Sequence, residues 1–429
     1  MDYYVSLNGE DRNSGKSPQE AWSTIDRVNE EKYNSGDRIL FEGGKSFAGT
    51  VRIKDVTAEE PVVICSFGDD RALIDGGAGS GIVVDRCNGV RITSIDVRGA
   101  GRNAGNRQGV GIGLIDSSQI DIDQVRATGF QKAGVAIDGC SHIRLTHVLA
   151  QENGYAGITT FGRRSHEIYI GYCKAINNPG DPTITDNHSG SGIVLFNVQD
   201  AMVEYCEAAE NGWDMQQINS NGPVGIWTAC GADRVTIQYC ISHHNRSPQR
   251  DGGGFDFDGG TTNSLMQFNY AYENNGCGYL LCQYGGGDPV VNNTIRYCIS
   301  ENDGQGDHNS GIYTYLADGR IYDCDIHNNV IYNEHGRGCV VGAMPDSRFS
   351  NNIFILKGSG VHVKEAEFGS FQGNVYRTID GPTMMDETGT LSAEPEMLKE
   401  LEKVWAMRVE SPLRQTGLHL NKTFGVQAE

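Results

Sequence analysis

The chain has 429 residues, with 57 glycines against 11 prolines, 38% hydrophobic residues and 21% charged ones. That balance is too apolar and too low in charge for disorder, and no apolar run is long enough to span a membrane. The 35 basic and 55 acidic residues leave a formal net charge of −20, which repels nucleic acid and anionic lipid and removes both as expected partners.

In chain order, the opening MDYYVSLNGED has no basic segment followed by an apolar one. No secretory signal is read there, and the compartment stays open. Residues 1–50 contain AWSTIDRVNEEKYNSGDRILFEGG, which reads as a short amphipathic helix followed by a strand. An atypical first unit of this kind is what a repeat array needs as a cap.

Residues 51–392 carry a repeat. Short apolar segments follow a glycine at Gly111, Gly134, Gly157, Gly192, Gly225, Gly254, Gly278, Gly311, Gly338 and Gly360, at intervals of 22 to 35 residues. A second marker runs in parallel, placing Cys173, Cys206, Cys240, Asn269, Cys298, Asn329, Asn352 and Asn374 at one equivalent position. Such units bury their apolar side only by stacking on neighbours. Coils of this length, with β-branched strands and NG or GG turns, predict an all-β solenoid, a parallel β-helix of about ten to twelve coils. The 12 cysteines contain no CxxC pair and follow the repeat, so they read as small inward hydrophobes rather than disulfides or metal ligands. Inward Asn side chains can hydrogen-bond along a ladder.

Side chains alternate across a strand. After each glycine the first and third residues, such as Val135/Ile137, Phe255/Phe257 and Tyr279/Leu281, form an apolar stack and predict the core. The second and fourth then face outward: Ala136/Asp138, Thr159/Phe161, Val194/Phe196, Trp227/Ala229, Asp256/Asp258, Leu280/Cys282 and Tyr313/Tyr315. Phe161, Phe196, Trp227, Tyr313 and Tyr315 thus lie on both sides of a carboxylate pair, an arrangement suited to sugar rings and their hydroxyls. Covering by a long loop explains the same rings. The longest connections, 174–191, 207–224, 241–253 and 299–310, lead into this face and bring His188, Arg250, Asp251, Asp307 and His308. Arg250, Asp251, Gln283, Asp307 and His308 join the aromatic residues as candidate substrate contacts.

Asp256 and Asp258, two residues apart on one strand, have Cβ atoms about 6.6 Å apart. Glycoside hydrolysis needs one protonated and one ionised carboxyl, and repulsion between the two can supply the protonated one. They are the expected catalytic residues, with Asp251 or Asp307 as a third carboxylate. A solvated or backbone-bracing Asp pair is the bland alternative, and Ca²⁺ binding another, although no ligand motif supports it. No organic cofactor and no metal ligand set is implied. β-Elimination on a uronic-acid polymer is the rival chemistry. It needs a cation or arginine to neutralise the uronate, and no Lys or Arg stands on the outward strands between residues 134 and 316. The loop arginines Arg163, Arg164, Arg246 and Arg250, or a His308–Tyr313 base pair, would have to serve. A non-catalytic glycan-binding β-helix is the third class.

At the far end EPEMLKELEKVWAMR, residues 394–408, favours helix, and residues 393–429 are read as a second cap. Helix-like caps at both ends predict a free-standing monomer. Two stretches now carry a resemblance: YYVSLNGEDRNSGKSPQEAWSTIDRVN…GDRILFEGGKSFAG and GGGFDFDGGTTNSLMQFNYAYENNGCGYLLCQYGG. They resemble right-handed parallel β-helix proteins of the pectate-lyase-like superfamily, over almost the whole chain. The resemblance implies a right-handed coil and activity on a poly- or oligosaccharide, but not which reaction, because the fold carries several.

Overall fold

The computed structural model describes all residues except 217–220, 307–309, 336, 358–361, 364–367, 380–382, 385–394, 409, 412–419 and 421–429. Strands dominate and pair in parallel, coil upon coil, as the glycine repeat predicts. The chain falls into two compact units, Met1–Ala201 with Asp214–Gln216, and Met202–Trp213 with Gln217–Glu429.

In the first unit Asp2–Val5 pairs in parallel with Arg38–Glu42. Between them lies the expected helix, Ile25–Glu30, whose first turn is capped by the Thr24 hydroxyl accepting from the Arg27 amide. Fully buried Trp22 stacks on Tyr3 at 5.0 Å and closes this end of the core. One sheet then runs through Val51–Lys54, Ile82–Asp85, Val110–Ile115, Ala133–Asp138, Ala156–Thr160 and Ser191–Phe196, each parallel to the next.

In the second unit the corresponding strands are Val224–Ala229, Gly253–Phe257, Tyr279–Gln283, Ser310–Leu316 and Arg337–Val341. The first and third positions point inward as expected: Ile226, Thr228, Phe255, Phe257, Tyr279 and Leu281 are all 1% exposed or less. Phe255 stacks on Tyr279 at 5.2 Å with rings 5° from parallel.

The Cys/Asn position is buried from coil to coil, and every cysteine is a free thiol. Its asparagines do what a bare hydrophobe cannot. Asn329 Oδ1 accepts from the Cys298 amide at 2.9 Å, and Asn352 Oδ1 accepts from both the amide and side chain of Asn329 at 3.0 Å. A second ladder was not anticipated: Asn211, Asn245, Asn274 and Asp303 bond in sequence at 2.8 to 3.2 Å. Each rung satisfies a buried amide that parallel strands leave at the turn.

The C-terminal helix Pro395–Ala406 lays Leu398, Leu401 and Val404 on Tyr270, Ile299, Val330 and Tyr332. After it, Arg408 meets Glu273 at 2.6 Å and Glu301, whose side chain is 0% exposed. Ser411 and Tyr270 donate to the same Glu301. The tail is thus held by a desolvated ion pair as well as by apolar contact.

Candidate active site

The sequence Asp251-Gly-Gly-Gly-Phe-Asp-Phe-Asp positions the acidic groups. The Gly252 backbone lies at φ 74°, and a Cβ there would stand 2.8 Å from backbone atoms of Arg246 and Ser247. Only glycine lets the 241–253 connection close this tightly onto the strand. Asp251 ends that connection, with its carboxylate accepting from the Gly222 amide at 2.7 Å. The strand that follows turns Phe255 and Phe257 inward and leaves Asp256 and Asp258 on the opposite face.

Asp256 lies in register between Trp227 and Leu280, and Leu280 in turn pairs with Tyr313. This face was expected to be open. It is not: Asp256 is 2% exposed, and Trp227 and Leu280 are 4% exposed. Alternation assigns a side chain to a face but says nothing of what covers it. The buried Oδ1 of Asp256 has no hydrogen-bond partner. Burial, and then the charges of Asp258 and Asp251, push its carboxyl well above the usual carboxylate range.

Asp258 is only half-buried. Burial raises its pKa to about 7, opposed by the Gly259 amide and by the Cys282 thiol, while Asp251 adds to the rise. The Gly259 amide donates to Asp258 Oδ1 at 2.7 Å. Cys282 itself is pushed up, first by burial and then by Asp258, Asp256 and Asp251. The three carboxylates therefore share one electrostatic environment, with Asp251 and Asp258 partly accessible and Asp256 enclosed beneath them.

Other predicted contacts fare differently. Arg250 is exposed, and Asp251, Tyr313 and Tyr315 are half-buried, Tyr315 pairing with Cys282 across adjacent coils. Gln283 is no surface contact: it is 0% exposed and braces a turn. Its Nε2 donates to Tyr284 O at 2.7 Å and Gly287 O at 2.8 Å, while its Oε1 accepts from the Gly319 amide at 2.8 Å. As the fifth residue after Gly278 it belongs to the inward set. Trp227 likewise presents no free ring face. Phe161 and Phe196 are half-buried residues of the first unit. Asp307 and His308 lie outside the described residues.

Sequence reasoning missed Cys282 and Tyr284. The Tyr284 ring lies against Gly259 and Gly287, where a Cβ would stand 2.7 and 2.9 Å away. Its hydroxyl is 3.5 Å from the Cys230 thiol, and its pKa is raised mainly by burial, with Asp258 contributing. The glycines flanking Tyr284 in QYGGGD were the available signal. Among the described residues no group of three His, Cys, Asp or Glu is arranged to hold a metal ion.

A coil of parallel strands, each turn stacked on the next, defines a β-helix protein. The chain belongs to the family described as right handed beta helix region, whose model matches residues 80–295 and 183–375. It is 29% identical over 205 residues to a lacto-N-biosidase of Bifidobacterium longum, a match that takes in 46% of this chain and 12% of that protein. Among solved structures it resembles GH136 lacto-N-biosidase from Eubacterium ramulus, with TM-score 0.55 and 16% identity over 88% of this chain and 68% of that one. It also resembles the pectate lyase Pel9A, with TM-score 0.50 and 17% identity over 76% of this chain and 78% of that one. At these identities the structures speak for the fold alone.

Proposed function

We propose that the chain is a carbohydrate-active enzyme, a glycoside hydrolase, in which Asp258 is the proton donor and Asp251 the ionised partner. The observation that carries this reading is Asp258 itself, a half-buried carboxyl with a pKa raised to about 7 beside a second accessible carboxylate. A group so placed is still about half protonated at pH 7 and can give its proton to a glycosidic oxygen as the C–O bond breaks. Positive charge then develops on the sugar ring, where the Asp251 carboxylate opposes it. Water supplies the hydroxyl to the anomeric carbon, either directly or after a glycosyl ester on Asp251 has formed. Enclosed Asp256 stays neutral beneath the pair and does not meet the scissile bond.

The carbohydrate class is supported by the relative named lacto-N-biosidase, and glycans bearing lacto-N-biose are the first substrates to try. Hydrolysis is preferred over elimination because, among the described residues of the second unit, acids and not a neutralising cation stand on the outward strand. The test is a glycan panel in which new reducing ends and unsaturated-uronate absorbance are followed together. Reducing ends without absorbance are expected, abolished by Asp258→Asn and by Asp251→Asn, and the anomeric configuration of the first product separates direct attack by Asp251 from water activation. Absorbance rising with the reducing ends would sink the proposal in favour of a lyase.

A further inference from the structure

In the second unit, successive coils end their strands in a chain of ionisable groups. Ala209, His243, Tyr272 and Glu301 stand at one register position, and His244 and Glu273 follow His243 and Tyr272 at φ 52° and 54°. Glu207 Oε1 lies 3.3 Å from His243 Nε2, His243 Nδ1 lies 2.8 Å from His244 Nδ1, and His244 Nε2 lies 2.8 Å from Glu273. Glu273 then meets Arg408 of the C-terminal segment, and Arg408 meets buried Glu301, which also accepts from Tyr270 and Ser411. Tyr272 holds the group together. Its ring stacks on His243 at 4.5 Å, meets His244 edge-on at 5.5 Å and carries the Arg408 guanidinium at 4.1 Å.

These contacts fix how many protons the two rings carry. Each Nε2 faces a carboxylate and needs a hydrogen to donate, and the Nδ1–Nδ1 contact needs one hydrogen between two ring nitrogens. That makes three, one more than two neutral imidazoles supply, so the pair carries a single positive charge between Glu207 and Glu273. A fourth proton would set N–H against N–H at 2.8 Å and part the rings. The surroundings resist it in the same sense. Burial first and then His243 hold the His244 pKa below the usual histidine range, with Arg246 and Arg408 adding to the effect and Glu273 opposing it.

We propose that His243 and His244 form a one-proton clasp on the C-terminal segment: with one shared proton the pair braces Glu273 against Arg408, and a second proton parts the rings and loosens Arg408 and the helix before it. The clasp concerns attachment of the tail and needs no particular bond cleavage. His244 sets the direction. It is a base held low in the folded chain, so its contribution is present above the unfolded pKa of about 6.5 and is lost as pH falls. Glu301 pulls the other way, since burial raises its pKa against the bonds from Ser411 and Tyr270 and the charge of Arg408. On that account alone acid would fasten the tail, and variants separate the two.

The test is hydrogen exchange of the full-length chain, read by mass spectrometry on peptides covering residues 395–411 and corrected for the intrinsic effect of pH. From near pH 7 to near pH 5 their protection should fall by about tenfold or more, while peptides from the Phe255 strand stay unchanged. His244→Gln and His243→Gln should each abolish the fall, the second because the opposing N–H is gone even though His244 still titrates. Glu301→Gln should keep it. In ¹⁵N-histidine NMR of the parent, assigned with the two variants, three of the pair's four nitrogens should be protonated near pH 7, with the fourth proton arriving over the range in which the tail loosens. The proposal is overturned by a tail equally protected at both pH values, by a fall that survives either His→Gln change or is lost in Glu301→Gln, or by only two protonated nitrogens near pH 7. Should a variant fail to fold, the proton count in the parent decides alone.

Discussion

Replacing Asp256 by leucine should make the protein more stable and less active. The side chain is 2% exposed, and its buried Oδ1 finds no donor. Leaving a buried polar group unsatisfied costs about 1–3 kcal/mol, and leucine, larger but with the same branched skeleton, removes that cost while adding apolar contact with Trp227 and Leu280. Over 429 residues an unfolding entropy of roughly 2.1 cal/mol/K per residue gives about 0.9 kcal/mol/K, so the gain corresponds to about 1–3 °C in Tm. Its pH dependence has a definite sign. The folded-state pKa is raised, so the unfolded chain releases this proton at about pH 3.9 while the folded chain keeps it. Stability of the parent therefore falls as pH rises above that point, and the advantage of Asp256→Leu should be smallest near pH 4 and largest near pH 7. Scanning calorimetry of parent and variant at both pH values measures this directly. Asp256 and Asp258 lie within reach of one another's charge, so turnover should drop in the same preparation. A lower Tm at both pH values would refute the reasoning, because it would mean that the carboxyl has a stabilising partner which leucine deletes.

Cys282→Ala removes a hydrogen bond that holds the Asp258 pKa down. The alkaline limb of kcat/KM, expected near the Asp258 value of about 7, should move upward by less than about one pH unit, and an unmoved limb would take Asp258 out of the acid role. Arg408→Met strands Glu301, whose side chain is 0% exposed. A loss of about 3–5 kcal/mol is expected by calorimetry, with Glu301→Gln in the same chain restoring part of it. A neutral outcome for the single variant would show that the tail does not depend on this pair.

How much of this was legible in the sequence depends on the range of the interaction. Alternation along GFDFD placed Phe255 and Phe257 inside and Asp256 outside because strand geometry is local. The Cys/Asn position was legible for a related reason: a ladder in a coil repeats the same residue type at the same phase. The second ladder had a comparable trace, in the ENG and ENDG stretches around Asn211 and Asp303. What stayed hidden came from contacts between coils or across long separations. Nothing local distinguishes an outward Asp in water from one enclosed between Trp227 and Leu280, and that difference decides which carboxyl can reach a substrate. Gln283 looked like a groove residue until the return of Asp318 and Gly319, 35 and 36 positions later, consumed its amide. The bond from Arg408 to Glu301 spans 107 positions, and neither residue signals the other.

The same distinction accounts for where chemistry can arise in this fold. A parallel coil fixes its inward face by stacking, so substitutions there are felt through the ladders above and below. On the outward face a residue answers only to its two register neighbours and to whichever connection covers it. Asp256, Asp258 and Cys282 depart from the small or apolar residues that otherwise suit a covered strand, and they do so on neighbouring strands within reach of the Asp251 charge. Three carboxyls gathered in that way destabilise one another in the ionised form. A fold under selection for stability alone would have replaced at least Asp256. Its presence beside a half-buried Asp258 is therefore not explained by packing, and it fits the proposed role of a site that holds a proton at neutral pH.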